Sequence, residues 1–263
     1  TTSVEDMAAV LEVISGIDEN DATVSEVSVP NYLANLKPSN KKRIAVIEDC
    51  LTADGISPDV KTHLNQAIEA LKADGNEVEM VSFPYLDYMV PCYYVLTTAE
   101  ASSNLSRYSG LVFGHRSQEA HDLESTFKLS RTEGFGSEVK RRIMAGTFVL
   151  SSDYYDAYYT KAQKVRRVIQ NETQKILDEY DFILLPTTPT EAFKLGEKSN
   201  DPIAMYLADI FTVQAPLAGI TAISLPTGTA KSGMPFGLQL MARHYEELDL
   251  LSMSKYLYEL MQD

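Results

Sequence analysis

Arg142 lies in a run that turns it toward apolar neighbours. If residues 137–150 are helical, Val139, Arg142, Ile143, Gly146 and Leu150 share one face, and Arg141 points nearly the opposite way. A guanidinium turned inward is costly unless it is paired. It either bridges to an acid of the protein or receives a ligand carboxylate, and its planar fork suits a bidentate one. Asp209 is a weaker counterpart, on the flank of a stripe of Ile203, Tyr206, Ile210 and Val213 in a helix expected over 202–213. An acid there holds an ammonium group or is a solvated flank residue. Tyr93 and Tyr94 follow Pro91 on a helix expected from 87 to 107. One of such an adjacent pair faces the core, and the other can offer its hydroxyl to a site.

Other kinds of chemistry find little support. There is no G-x-S-x-G elbow and no Walker loop. Gly134-x-Gly136 lacks a third glycine and follows no expected strand. The histidines are His63, His115, His121 and His244. His115 and His121 can share a face, but no carboxylate pair completes a metal site. Cys50 and Cys92 fit no C-x-x-C or zinc spacing and read as free thiols of a reducing compartment. The residues alone therefore assign no catalytic group, no cofactor-binding residue and no metal ligand.

The net charge of −14 argues against this chain as a main nucleic-acid surface, which needs clustered Lys and Arg. It leaves room for a complex in which another subunit holds the nucleic acid. No apolar run approaches the ~18 residues of a membrane span, and a cytoplasmic location is expected. The chain starts Thr1-Thr2-Ser3 without Met, as if cut from something longer, although a processed start reads the same way.

The elements that must position these residues are interleaved strands and helices, an α/β class. Residues 4–16 are expected as a helix with Thr2-x-x-Glu5 as its capping box and Gly16 at its end. Residues 17–42 read as a loop. A strand at 43–48, a helix at 58–73 and a strand at 77–83 form a βαβ unit with a parallel pair. Residues 108–136 read as loop-rich. A long helix at 154–179 carries Lys161, Lys164, Arg166 and Arg167. A buried strand at 182–185 runs into Pro186-Thr187-Thr188-Pro189. Strands at 222–225 and 236–241 join through a Gly-rich turn, and residues 246–260 close the chain as a helix.

Tyr93-Tyr94-Val95-Leu96 followed by Glu100-Ala101-Ser102-Ser103-Asn104-Leu105 resembles the A subunits of the tRNA-dependent amidotransferases, within the amidase-signature family. So does Glu133-Gly134-Phe135-Gly136 running through Glu138-Val139-Lys140-Arg141-Arg142-Ile143-Met144 to Gly146-Thr147-Phe148. Tyr154-Tyr155-Asp156-Ala157-Tyr158-Tyr159, Leu217-Ala218-Gly219 and Pro235-Phe236-Gly237-Leu238-Gln239 continue the likeness. Gln214-Ala215-Pro216 departs from it, where the family more often has Pro and then Asn before Leu-Ala-Gly.

The resemblance implies a mixed β-sheet flanked by α-helices on both faces, with residues 1–263 as the C-terminal portion of one amidase-signature domain. It implies a serine nucleophile, a second serine and a lysine base that match no position here, so this chain by itself is expected to be inactive. Tyr93, Arg142 and Asp209 match the family's glutamine-binding residues. The implied partners are glutamine, amidotransferase B and C subunits, and Glu-tRNA(Gln) reached through the complex, with ATP and Mg used by the B subunit. The alternatives are another amidase-signature hydrolase acting on a small amide, or a non-catalytic interaction module.

Overall fold

The computed structural model describes the whole chain except residues 39–40, 54, 197–204, 206 and 263. The chain divides into two units, residues 1–87 with 169–263, and residues 88–168.

The first unit is built on a five-stranded mixed sheet in the order β2-β1-β3-β5-β4. The strands are β1 (Arg43–Ile47), β2 (Glu77–Val81), β3 (Phe182–Pro186), β4 (Thr221–Thr229) and β5 (Pro235–Ala242). β1 pairs in parallel with β2 and β3, as the βαβ reading requires. β5 then runs antiparallel to both β3 and β4. Every residue of β3 is buried, which is the signature of a central strand covered on both faces.

One face carries the main apolar core. Ile44, Val46, Leu184, Leu238 and Leu240 meet Leu64, Ile68 and Leu71 of α4 (Pro58–Ala73) and Leu250, Met253 and Leu257 of α10 (Glu247–Leu260). Val4 and Ala8 of α1 (Val4–Ile14) complete this core. The cap of α1 is Ser3, whose Oγ accepts from the Asp6 amide at 3.1 Å, one residue later than the expected Thr2 box. Gly16 follows the helix at φ +125°, a conformation that suits glycine. Within the expected loop 17–42, Tyr32–Asn35 forms a short helix, α2, capped by Asn31. A further short turn, α3 (Asp49–Thr52), follows β1.

On the other face of the sheet Gln239 of β5 donates to the Phe211 carbonyl, and α9 (Gln214–Ala218) is tied to the part of α8 (Lys161–Glu179) that belongs to this unit. Gln170 of α8 donates to the Ala218 carbonyl at 3.0 Å, and Gln214 donates to Thr173 Oγ1 at 3.1 Å. Part of the helix expected over 202–213 lies outside the described residues, and Ala208 to Thr212 form turns rather than helix.

The second unit is helical. It contains most of α5 (Leu86–Leu105), then α6 (Leu123–Gly134), α7 (Ser137–Val149) and a π-helical turn, Tyr155–Thr160, leading into α8. α6 corrects the loop expected over 108–136. Asp122 and Ser125 close a reciprocal capping box at its start. Its buried residues are Thr126 and Ser130, so no apolar stripe marks it in the sequence. The π turn corrects a continuous helix over 154–179. The two cysteines are free and buried, and burial pushes the Cys92 thiol up to about 11. No helix among the described residues is long and apolar enough to cross a membrane.

Candidate functional site

Within the helical unit, α5 and α7 lie side by side at a small-residue contact. A Cβ on Gly146 would stand 1.9 Å from the Thr98 carbonyl oxygen and 2.7 Å from Ser102 Cβ. Only glycine permits that approach. One residue on, Ser102 Oγ and Thr147 Oγ1 share a hydrogen bond of 2.9 Å. One turn earlier on each helix stand Tyr94 and Arg142. The Arg142 guanidinium carbon lies 5.4 Å from the centre of the Tyr94 ring, a cation–π contact. Helical spacing therefore carries the glycine contact directly to the arginine.

The phase of α7 is as the sequence reads it. The Arg142 side chain is 36% exposed and that of Arg141 is 60% exposed. Both pair with Glu138, one turn upstream. Arg142 Nε meets Glu138 Oε1 at 3.1 Å, and Arg141 Nη1 binds Glu138 Oε2. Desolvation works against the charged form of Arg142. Glu138 and Tyr94 outweigh it and hold the guanidinium above its ordinary range. Arg142 is thus a fixed cation, tethered through its Nε edge and backed by an aromatic face.

Tyr93 and Tyr94 are both half-buried, with ring centroids 5.5 Å apart at 87°. Tyr94, not Tyr93, is the ring against Arg142. Sequence reading missed this role for Tyr94, because adjacent tyrosines on a helix differ only in which neighbour they meet. It also missed Glu138, although an acid four residues before an arginine is a readable helical pair.

The segment before α6 is tied to its last turns. Glu133 accepts from Ser117 Oγ and pairs with His115 Nε2, each at 2.8 Å, and the His115 and Ser117 contacts hold its carboxyl below the usual range. Arg131 donates to the Leu105 and Tyr108 carbonyls at 2.8 and 3.2 Å. These bonds fix the Glu133-Gly134-Phe135-Gly136 entry into α7.

Asp209 belongs to the sheet-bearing unit. It is half-buried in a turn in which the Thr212 amide donates to the Asp209 carbonyl at 3.0 Å. Gln239 on β5 donates to the Phe211 carbonyl at 2.8 Å and anchors this turn to the sheet. Gln239 is 5% exposed. A glutamine between Leu238 and Leu240 in a central strand must find partners, and that signal could have found it. Arg142 meets Tyr94 inside one unit, where Tyr93 touches Tyr94 rather than Arg142, and Asp209 belongs to the other unit.

Residues 1–251 match the amidase family. The chain is 49% identical over 249 residues to the A subunit of glutamyl-tRNA(Gln) amidotransferase from Koribacter versatilis, covering 94% of this chain and 52% of that protein. It is 50% identical over 248 residues to the protein of the same name from Oceanobacillus iheyensis, covering 94% and 51%. The chain therefore spans about half the length of these relatives. Among solved structures, it superposes on the A subunit of glutamyl-tRNA(Gln) amidotransferase from Thermotoga maritima with a TM-score of 0.76 at 39% identity, over 98% of this chain and 51% of that one. A 6-aminohexanoate cyclic dimer hydrolase gives a TM-score of 0.76 at 20% identity, over 98% of this chain and 53% of that one, which is a likeness of fold alone.

Proposed function

We propose, from the premise that this chain belongs to the amidase family, that it is the glutamine-recognition portion of the A subunit of a glutamyl-tRNA(Gln) amidotransferase. The observation that carries the reading is Arg142, a half-buried cation held at its Nε edge by Glu138 and backed by Tyr94. Free glutamine presents an α-carboxylate and an α-ammonium. Arg142 takes the carboxylate through its terminal nitrogens, Asp209 takes the ammonium, and Tyr93 contributes a hydrogen bond. These contacts select free glutamine over glutamine within a peptide. They spend binding energy on placing the side-chain amide for attack.

The serine nucleophile, second serine and lysine of the family match no position among residues 1–263, so the chain alone releases no ammonia from glutamine. In the complete enzyme, ammonia passes to a B subunit that amidates Glu-tRNA(Gln) with ATP and Mg, in an assembly that includes a C subunit. The net charge of −14 supports placing the tRNA contact on a partner.

The pairing of Arg142 with Glu138 also suits a second reading, a purely structural ion pair in another amidase acting on a neutral amide. Ligand competition separates the two. Glutamine, glutaramic acid and 4-aminobutanamide share the amide but differ in the α-ammonium and α-carboxylate. In the full-length protein, glutamine is expected to bind tightest. Arg142→Ala should erase its advantage over 4-aminobutanamide, and Asp209→Asn its advantage over glutaramic acid. Equal binding of all three by the unaltered protein sinks the glutamine reading.

A further inference from the structure

A groove of about 340 Å³ opens between the end of α1, the segment 24–30 and the start of α10. Its lining includes Leu11, Ile14, Val24, Val27, Val29 and Tyr245. The aliphatic surface continues outward, with Val13 83%, Ile14 74% and Ile17 69% exposed. Exposed aliphatics gathered in one place mark an interaction surface more often than a solvent face.

Acids outnumber cations around the groove, and the cations Lys255 and Arg243 are already paired with Glu5 and Glu246. Residues 1–36 contain seven Asp and Glu, and the first Lys or Arg in the chain is Lys37. Glu247 lines the groove itself, and no cation does. The rim is also ordered. Asp18 Oδ1 accepts from the Asn20 amide and Asp21 Oδ1 from the Thr23 amide, each at 2.8 Å. An acidic rim repels nucleic acid, an anionic membrane and a second copy of itself. The occupant that satisfies both the floor and the rim has aliphatic anchors flanked by Lys or Arg.

We propose that this groove docks a basic, aliphatic-anchored segment of a partner protein, in the manner of a helix laid into a groove. Such docking is independent of the glutamine reading.

The test is fluorescence anisotropy with labelled peptides titrated against the full-length protein. One peptide carries Leu anchors at helical spacing with Lys flanks. A second replaces Lys by Glu, and a third replaces Leu by Ser. The Lys–Leu peptide is expected to bind at least tenfold more tightly than either control, and to weaken as salt rises. Ile14→Asp, at an exposed position that leaves the core intact, should weaken it at least tenfold. The double variant Glu19→Lys with Glu26→Lys should do the same, whereas Glu124→Lys on α6 should have no effect. The proposal is overturned if the three peptides bind alike, if Glu124→Lys weakens binding as much as the double variant, or if Ile14→Asp leaves it unchanged. Self-association of the chain that Ile14→Asp abolishes would overturn it in favour of a second copy.

Discussion

The ring of Tyr94 lies 5.4 Å from the guanidinium carbon of Arg142, bridging α5 and α7 at the cation assigned to the glutamine carboxylate. Contacts of this kind are worth about 0.5–2 kcal/mol. Tyr94→Leu should therefore weaken glutamine binding by the full-length protein roughly 2- to 30-fold. Tyr94→Phe keeps the ring and should retain most of the affinity. Titration calorimetry of the two variants checks this, and equal losses would assign the effect to the hydroxyl.

Gly146 sets the separation of α5 and α7. A Cβ at this position would stand 1.9 Å from the Thr98 carbonyl oxygen, so Gly146→Ala forces the backbones apart. Overpacking of this sort costs about 1–3 kcal/mol. Denaturant unfolding should show that loss, and glutamine affinity should fall with it because Tyr94 and Arg142 separate one turn away. A variant as stable as the parent would mean that the helices are free to shift.

Gln239→Leu should act at a distance on Asp209. It leaves the carbonyl of Phe211, a residue with no exposure, without its donor. An orphaned buried acceptor costs about 1–3 kcal/mol. The affinity for glutamine is expected to fall while that for glutaramic acid, which lacks the ammonium, changes little. Equal losses for both ligands would make Gln239 merely structural.

His63 gives the fold a pH dependence. Its Nε2 lies 3.0 Å from Thr227 Oγ1, and its ring meets Phe236 edge-on at 5.1 Å. Burial disfavours the imidazolium and lowers its pKa from the ordinary 6.5. The unfolded chain then takes up the proton first as pH falls. The contribution of His63 is complete above pH 6.5 and is lost as pH drops from there through the lower folded value. Thermal unfolding between pH 7 and 5 should show a falling Tm, with a shallower slope for His63→Gln. Parallel slopes would contradict this assignment.

Much of this was legible in the sequence, and the failures have physical causes. Strand–helix–strand order gave the parallel β1–β2 pair because a crossover helix admits little else. Helical phase turned Arg142 inward and Arg141 outward, and the exposures of 36% and 60% agree. α6 was missed because it buries Thr126 and Ser130 while Leu123 is exposed, so its apolar periodicity is absent. That the Tyr94 ring lies against Arg142 depends on where α7 packs, which is information held outside α5. The turn at Asp209 is fixed by Gln239, some thirty residues later, and no local propensity encodes a bond of that kind.

The most direct test of the glutamine assignment is steady-state ammonia release by the full-length protein carrying Arg142→Ala, measured with glutamine and with a small neutral amide. Loss of charge-assisted hydrogen bonds worth about 1.5–3 kcal/mol should raise the KM for glutamine roughly 10- to 100-fold. Turnover of the neutral amide should stay close to that of the parent. An unchanged KM for glutamine, or an equal loss on both substrates, would contradict Arg142 as the carboxylate clamp.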